Sequence, residues 1–162
     1  MSFDPNKYRQ KKLDRYETYI KSLKSQNINP INIKNTVSEA VTNIKNKKAR
    51  SFVIYGEPQS GKTSMMIGLT AKLLDEGHKL IILLIQDNLN LLTQNSLRFQ
   101  KSTLRPAPKL FQEIIQKDVQ IKNREIVVIC KKNTSNLKRL IDKVDNIKNK
   151  IIIDDEADYA SP

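Results

Sequence analysis

Eight consecutive residues, Gly56-Glu57-Pro58-Gln59-Ser60-Gly61-Lys62-Thr63, fit the spacing G-x-x-x-x-G-K-[ST] in full. Such a run can curl so that successive backbone N–H groups point inward at a chain of phosphates. Gly56 and Gly61 allow conformations and a close approach that a Cβ would block. Lys62 is spaced to reach the β- and γ-phosphate oxygens, and the Thr63 hydroxyl to ligate Mg2+. With Ser64 these residues form the expected nucleotide-binding set. A helix opening near Lys62 would turn its positive end toward the same anion.

A second chemical group stands 93 positions on, where Ile151-Ile152-Ile153 runs into Asp154-Asp155-Glu156-Ala157-Asp158. Four carboxylates this close repel one another unless a cation or a basic partner neutralises them. A phosphate loop needs one carboxylate to hold Mg2+ through its water shell and another to orient or deprotonate a water. Asp155 is assigned to the metal and Glu156 to the water. Asp154 competes for the metal role because the apolar run ends just before it. Lys62 and Glu156 are the expected catalytic pair.

Both groups need a scaffold that closes the sequence gap. Four short apolar runs supply it: Ser51–Tyr55, Leu80–Ile85, Glu125–Cys130 and Lys150–Asp154. They are nearly continuous instead of alternating, as strands buried on both faces of a parallel sheet read. Helical patterns separate them at Lys62–Glu76, Leu89–Lys101, about Pro108–Asp118 and Asn136–Asn146, with Gly77 placed to cap the first. The expected fold is α/β, a parallel sheet flanked by helices. Upstream, Asp4 to about Lys24 reads as an amphipathic helix with Leu13, Tyr16, Ile20 and Leu23 on one face. A second helix is expected over Thr36–Lys48, and the asparagine-rich segment Ser25–Asn35, with Pro30, reads as a linker. Residues 1–50 therefore form a basic helical extension and residues 51–162 the nucleotide domain.

Composition narrows the alternatives. The 162 residues carry a net charge of +12, with 12 basic and 4 acidic side chains in the first fifty. That balance favours a polyanionic partner such as nucleic acid, although a lysine-rich chain carries such charge by composition alone. The single Cys130 and the single His78 exclude a disulfide framework and a multi-cysteine zinc site. Cys130 reads as core and His78 as a solvated turn residue. No apolar run is long enough to span a bilayer, and the N-terminal residues do not read as a signal peptide, so a cytoplasmic protein without membrane contact is expected.

The phosphate loop and the D-E-A-D run together resemble the first RecA-like domain of superfamily two helicases and translocases. Leu91 and Gln94 match the spacing of that superfamily's P-T-x-x-L-x-x-Q motif, while Asp87 and Asn88 replace its proline and threonine. A finer likeness is to helicase-like proteins with the Z-one domain, associated with endonucleases of bacterial restriction and phage-defence loci. It rests on Pro58–Thr63, Asn88–Asn95, Val128–Leu137 and Ile152–Ser161, which fall in the same order. Pro58, Asn88, Cys130 and Tyr159 depart from that pattern without removing a group the phosphate chemistry requires.

The resemblance implies a RecA-like P-loop NTPase using ATP and Mg2+ as the first motor domain of a DNA translocase or helicase. It also implies a longer chain carrying further motor and nuclease domains. A second RecA-like domain would supply the arginine finger, so these 162 residues alone are expected to hydrolyse little. Loops after the strands would meet nucleic acid, DNA before RNA, through Asn88, Gln94 and Arg98 and through Lys131, Lys132, Asn133 and Thr134. Two alternatives stay open, a P-loop ATPase that remodels protein and a non-catalytic nucleotide-gated binding module.

Overall fold

A computed structural model describes residues 14–46, 51–56 and 61–156. Their central feature is a parallel sheet of four strands, β1 (Leu80–Ile85), β2 (Lys109–Leu110), β3 (Ile126–Lys131) and β4 (Lys150–Asp154), in the order β2-β3-β1-β4. The helices are α1 (Arg15–Ser25), α2 (Ile31–Asn46), α3 (Lys62–Asp75), α4 (Leu89–Lys101), α5 (Phe111–Gln116) and α6 (Thr134–Val144). This is the expected α/β fold with an N-terminal helical part.

The continuous apolar runs are explained by two cores, one on each face. Ile81, Leu83, Ile85, Val127 and Ile129 point to the face covered by α1 to α4. Leu80, Ile82, Ile126, Val128 and Cys130 point to the other face, where α5 and α6 lie. Successive side chains of a strand alternate between faces, so a strand covered on both sides must be apolar at every position. Strand β4 is only half-buried because its outer side has no neighbour among the described residues, and Ile152 is 54% exposed.

One expected strand is absent. Residues 51–56 join no ladder with β1 to β4, and Val53 and Tyr55 are 84% and 87% exposed. Both sides of β1 are already taken by β3 and β4, and although the outer edge of β4 is open among the described residues, the run does not pair with it; strand composition alone makes no strand without a paired neighbour. Ile54 alone of this run packs against the core.

The N-terminal helices form part of the same core. Tyr19, Ile20, Leu23, Ile33 and Val37 are buried with Met66, Leu69 and Leu73 of α3. Gly68 makes the fit possible: a Cβ there would stand 3.2 Å from Ile33 Cγ2 and 3.6 Å from Tyr19. Arg15 fastens α1 below, reaching the Asp75 carboxylate at 3.4 Å and the Glu125 carboxylate. The start of α2 lies inside the segment read as a linker. The Asn29 side chain accepts from the Ile31 amide at 3.1 Å, and the Pro30 carbonyl accepts from Lys34 at 2.8 Å. Residues that discourage a helix from within here begin one. The part of the expected first helix before Asp14 lies outside the described residues.

Candidate nucleotide and acidic-turn site

Gly61 opens α3 with φ +83°, a left-handed conformation that a side chain resists, so the glycine before Lys62 is required by the backbone itself. From there α3 runs to a glycine-closed end. Gly77, at φ +90°, donates to Leu74 at 3.0 Å and His78 donates to Leu73 at 3.0 Å, which satisfies the last carbonyls. Gly56 lies just upstream, and Glu57, Pro58, Gln59 and Ser60 fall outside the described residues.

The Thr63 hydroxyl is oriented by α4. It donates to Asn95 Oδ1 at 3.1 Å and accepts from Arg98 Nη1 at 3.0 Å. A hydroxyl has one proton and two lone pairs, so this arrangement leaves one lone pair for a metal ion. Ser64 stands beside the Tyr19 phenol of α1. Burial raises the Tyr19 pKa, and the Ser64 hydroxyl draws it partly back. Asn95 and Tyr19 are the residues that the sequence reading passed over. Asn95 carried a signal, being an amide on the inward face of an amphipathic helix, and it is 6% exposed.

The acidic turn sits at the C-terminal end of β4. Asp155 extends the ladder by donating from its amide to Leu84 at 2.9 Å, and Glu156 closes the turn with φ +56°. Lys132, whose side chain is 8% exposed, grips this turn from the end of β3. Its ammonium donates to the Asp154 carboxylate at 2.9 Å, the Asp155 carbonyl at 2.7 Å and the Glu156 carbonyl at 2.9 Å. Burial holds the Asp155 carboxyl above its ordinary range, reinforced by the charge of Glu156. Lys62 and Lys132 pull it down, and Asp154 pushes it up. Lys62 is therefore within electrostatic reach of the acidic turn. Helix α3 turns back into β1, and β1 runs parallel to β4, so residue 62 at the start of α3 and residue 155 just past β4 lie toward one end of the sheet.

The remaining candidates divide by what they already touch. Asn88 and Asn133 are helix caps: Asn88 Oδ1 accepts from the Asn90 and Leu91 amides, and Asn133 Oδ1 from the Asn136 amide. Lys131 pairs with Asp87 at 2.8 Å, and Asn133 Nδ2 donates to the same carboxylate at 3.2 Å, tying the loop after β1 to the loop after β3. Gln94, Arg98 and Thr134 are exposed on this rim. Cys130 is buried in the sheet, and burial pushes its thiol up to about 11. His78 is half-buried, contrary to the expected solvated turn, because Gly77 folds it back over the end of α3.

An oxygen donor set suits Mg2+, which takes few protein ligands and completes its shell with phosphate and water. The free lone pair of Thr63 and the Asp155 carboxylate are of that kind. Among the described residues no group of three histidine, cysteine, aspartate or glutamate side chains gathers as a dedicated cage. No helix of the described residues is long and apolar enough to cross a membrane.

Comparison with protein families finds a match over residues 2–161 to the type III restriction enzyme, res subunit. No curated protein and no solved structure matches. The matched stretch takes in α1 and α2 as well as the phosphate loop and the acidic turn. The chain belongs to the family of the type III restriction enzyme res subunit, a family of helicase-like P-loop ATPases with a RecA-like domain.

Proposed function

We propose that this chain binds ATP with Mg2+ and supports its hydrolysis as the first motor domain of a DNA translocase or helicase in a restriction or phage-defence enzyme. The observation that carries this reading is the placement of Gly61-Lys62-Thr63 at the start of α3, with the Thr63 hydroxyl oriented by Asn95 and Arg98, toward the same end of the sheet as the acidic turn after β4. In this reading residues 51–162 are the ATPase unit and residues 1–50 its helical extension.

The roles follow from charge and position. Gly61 opens α3, whose N-terminal end turns its positive pole to the phosphates, and Lys62 neutralises their charge as it develops. Thr63 and Asp155 would hold Mg2+, which supplies charge stabilisation at the phosphates. Glu156 accepts a proton from, or orients, the attacking water. Lys132 keeps the three acidic residues in one turn. Gln94 and Thr134 are the rim residues free to meet a DNA backbone, Arg98 reaches the same rim while its Nη1 orients Thr63, and Asn88, Asn133, Lys131 and Lys132 act mainly by shaping the loops between them.

ATP turnover by the full-length protein, with the further motor domains that the resemblance implies, measured with and without DNA and in Glu156→Gln, tests this. DNA-stimulated turnover that disappears in Glu156→Gln is the expected result. Turnover indifferent to DNA would favour an ATPase that remodels protein. Nucleotide binding with no turnover under any condition would leave a nucleotide-gated binding module.

A further inference from the structure

Strand β4 has a second charged neighbourhood at its other end. The turns entering β1, β3 and β4 enclose a cleft of about 630 Å3, within the range of small-ligand sites. Lys79, Lys122, Arg124 and Lys148 line it, brought together from three separate segments. Each of the four is exposed, and none makes an ion pair among the described residues.

The carboxylates at hand are committed elsewhere. Glu76, the acidic residue on the wall, pairs with Lys45 at 2.7 Å and Lys72 at 3.4 Å. Glu125, next to Arg124, pairs with Arg15. A fifth lining cation, Lys150, is satisfied by the carbonyls of Val144 and Ile147 at 3.2 and 3.0 Å. His78 is held toward its neutral form, chiefly by burial. The cleft therefore presents unneutralised positive charge over an apolar floor of Leu80 and Ile121, which are 2% and 4% exposed. Walls of one charge over a low-dielectric floor focus the field within a cleft. Asn123, Asn146 and Asn149 add amides that can donate to and accept from sugars and base edges, which a bare anion would not use.

We propose that this cleft is a second phosphate-binding site, at the opposite end of the sheet from the phosphate loop, that takes the sugar-phosphate backbone of a nucleic-acid strand. It stands independently of ATP hydrolysis.

The test is binding of a labelled twelve-residue oligothymidylate to the 162-residue chain, followed by fluorescence anisotropy across salt concentrations. The Lys62→Ala background removes the phosphate loop from the measurement. Lys122→Gln/Arg124→Gln/Lys148→Gln should weaken binding about tenfold and lower the log–log salt slope by about 2, since each single-strand phosphate contact contributes about 0.7. The control Lys101→Gln/Lys138→Gln/Arg139→Gln, with the same charge loss on exposed positions of α4 and α6, should change affinity less than twofold. Amide NMR shifts on adding the strand should centre on Lys79, Asn123 and Asn149. Equal losses in the two triple variants, or shifts confined to the phosphate-loop end, would overturn the proposal. Displacement of the strand by tripolyphosphate at equal phosphate concentration would also overturn it, in favour of a site for free anions.

Discussion

Arg98 on α4 donates to the hydroxyl of Thr63, the first threonine of α3, at 3.0 Å, while the same hydroxyl donates to Asn95 one helical turn earlier. The proton and one lone pair of Thr63 are thereby assigned, and its direction is fixed before any ligand arrives. Asn95→Ala should free this rotor and weaken the hold on Mg2+. A lost hydrogen bond of about 0.5–1.5 kcal/mol corresponds to a roughly two- to twelvefold rise in the Mg2+ concentration needed for half-maximal nucleotide binding. Titration of a fluorescent ATP analogue at stepped Mg2+ reads this directly. An unchanged Mg2+ requirement would separate Asn95 from the metal site.

Lys132 should be the more costly residue to remove. Lys132→Met strips three oxygens of the acidic turn of their donor at once, and the loss should reach about 1–3 kcal/mol. Because Asp154 is one-third exposed, solvent takes over part of its charge. Urea denaturation gives the value. Adding Asp154→Asn should recover part of it, since the orphaned carboxylate then disappears.

Thr70 lies wholly buried in α3, and its hydroxyl finds no partner among the described residues. Thr70→Val replaces the hydroxyl with a methyl of similar shape. A buried unsatisfied group costs about 1–3 kcal/mol, so the variant should melt higher by about 1 kcal/mol of stability. A lower melting temperature would mean that the hydroxyl has a partner after all.

Burial raises the Cys130 thiol to about 11, so near pH 8 it carries almost no thiolate. The native protein should therefore react with a disulfide reagent only on the timescale of unfolding. Addition of denaturant should release one equivalent of thiol rapidly. Fast labelling of the native state would contradict the buried position.

The Asp87 carboxyl is held below its ordinary range, chiefly by hydrogen bonds from Lys131 and Asn133. A depressed folded pKa adds stability above the unfolded value, and that stability is lost as pH falls through the folded value. The link between the loops after β1 and β3 should loosen only in acid. In Lys131→Met the carboxyl titration followed by NMR should move to higher pH. A midpoint that stays in place would assign the depression to another partner.

Some elements are legible from sequence because one cause dominates them. The bounds of β1 and α4 follow directly from the apolar run 80–85 and the amphipathic repeat 89–101, since each is fixed by burial against its own neighbours. The phosphate loop and acidic turn are legible because their residue types are forced by chemistry. What escaped depends on partners far along the chain. Ser51–Tyr55 has strand composition but no ladder, and β2 is two residues whose only signal is the neighbouring β3. Asn29 and Pro30 look like interruption until their oxygens are seen starting α2. Lys131 and Lys132 are adjacent, so one faces Asp87 and the other the acidic turn, a division that their identical side chains hide.

The bare backbone at Gly68 lets α1 and α2 settle onto α3 with no gap for a methyl group. A helix clasped this way behaves as a stiff strut: turning it by one residue would lift two other helices off their seat. That leaves α3 as the fixed datum against which a bound phosphate is gauged.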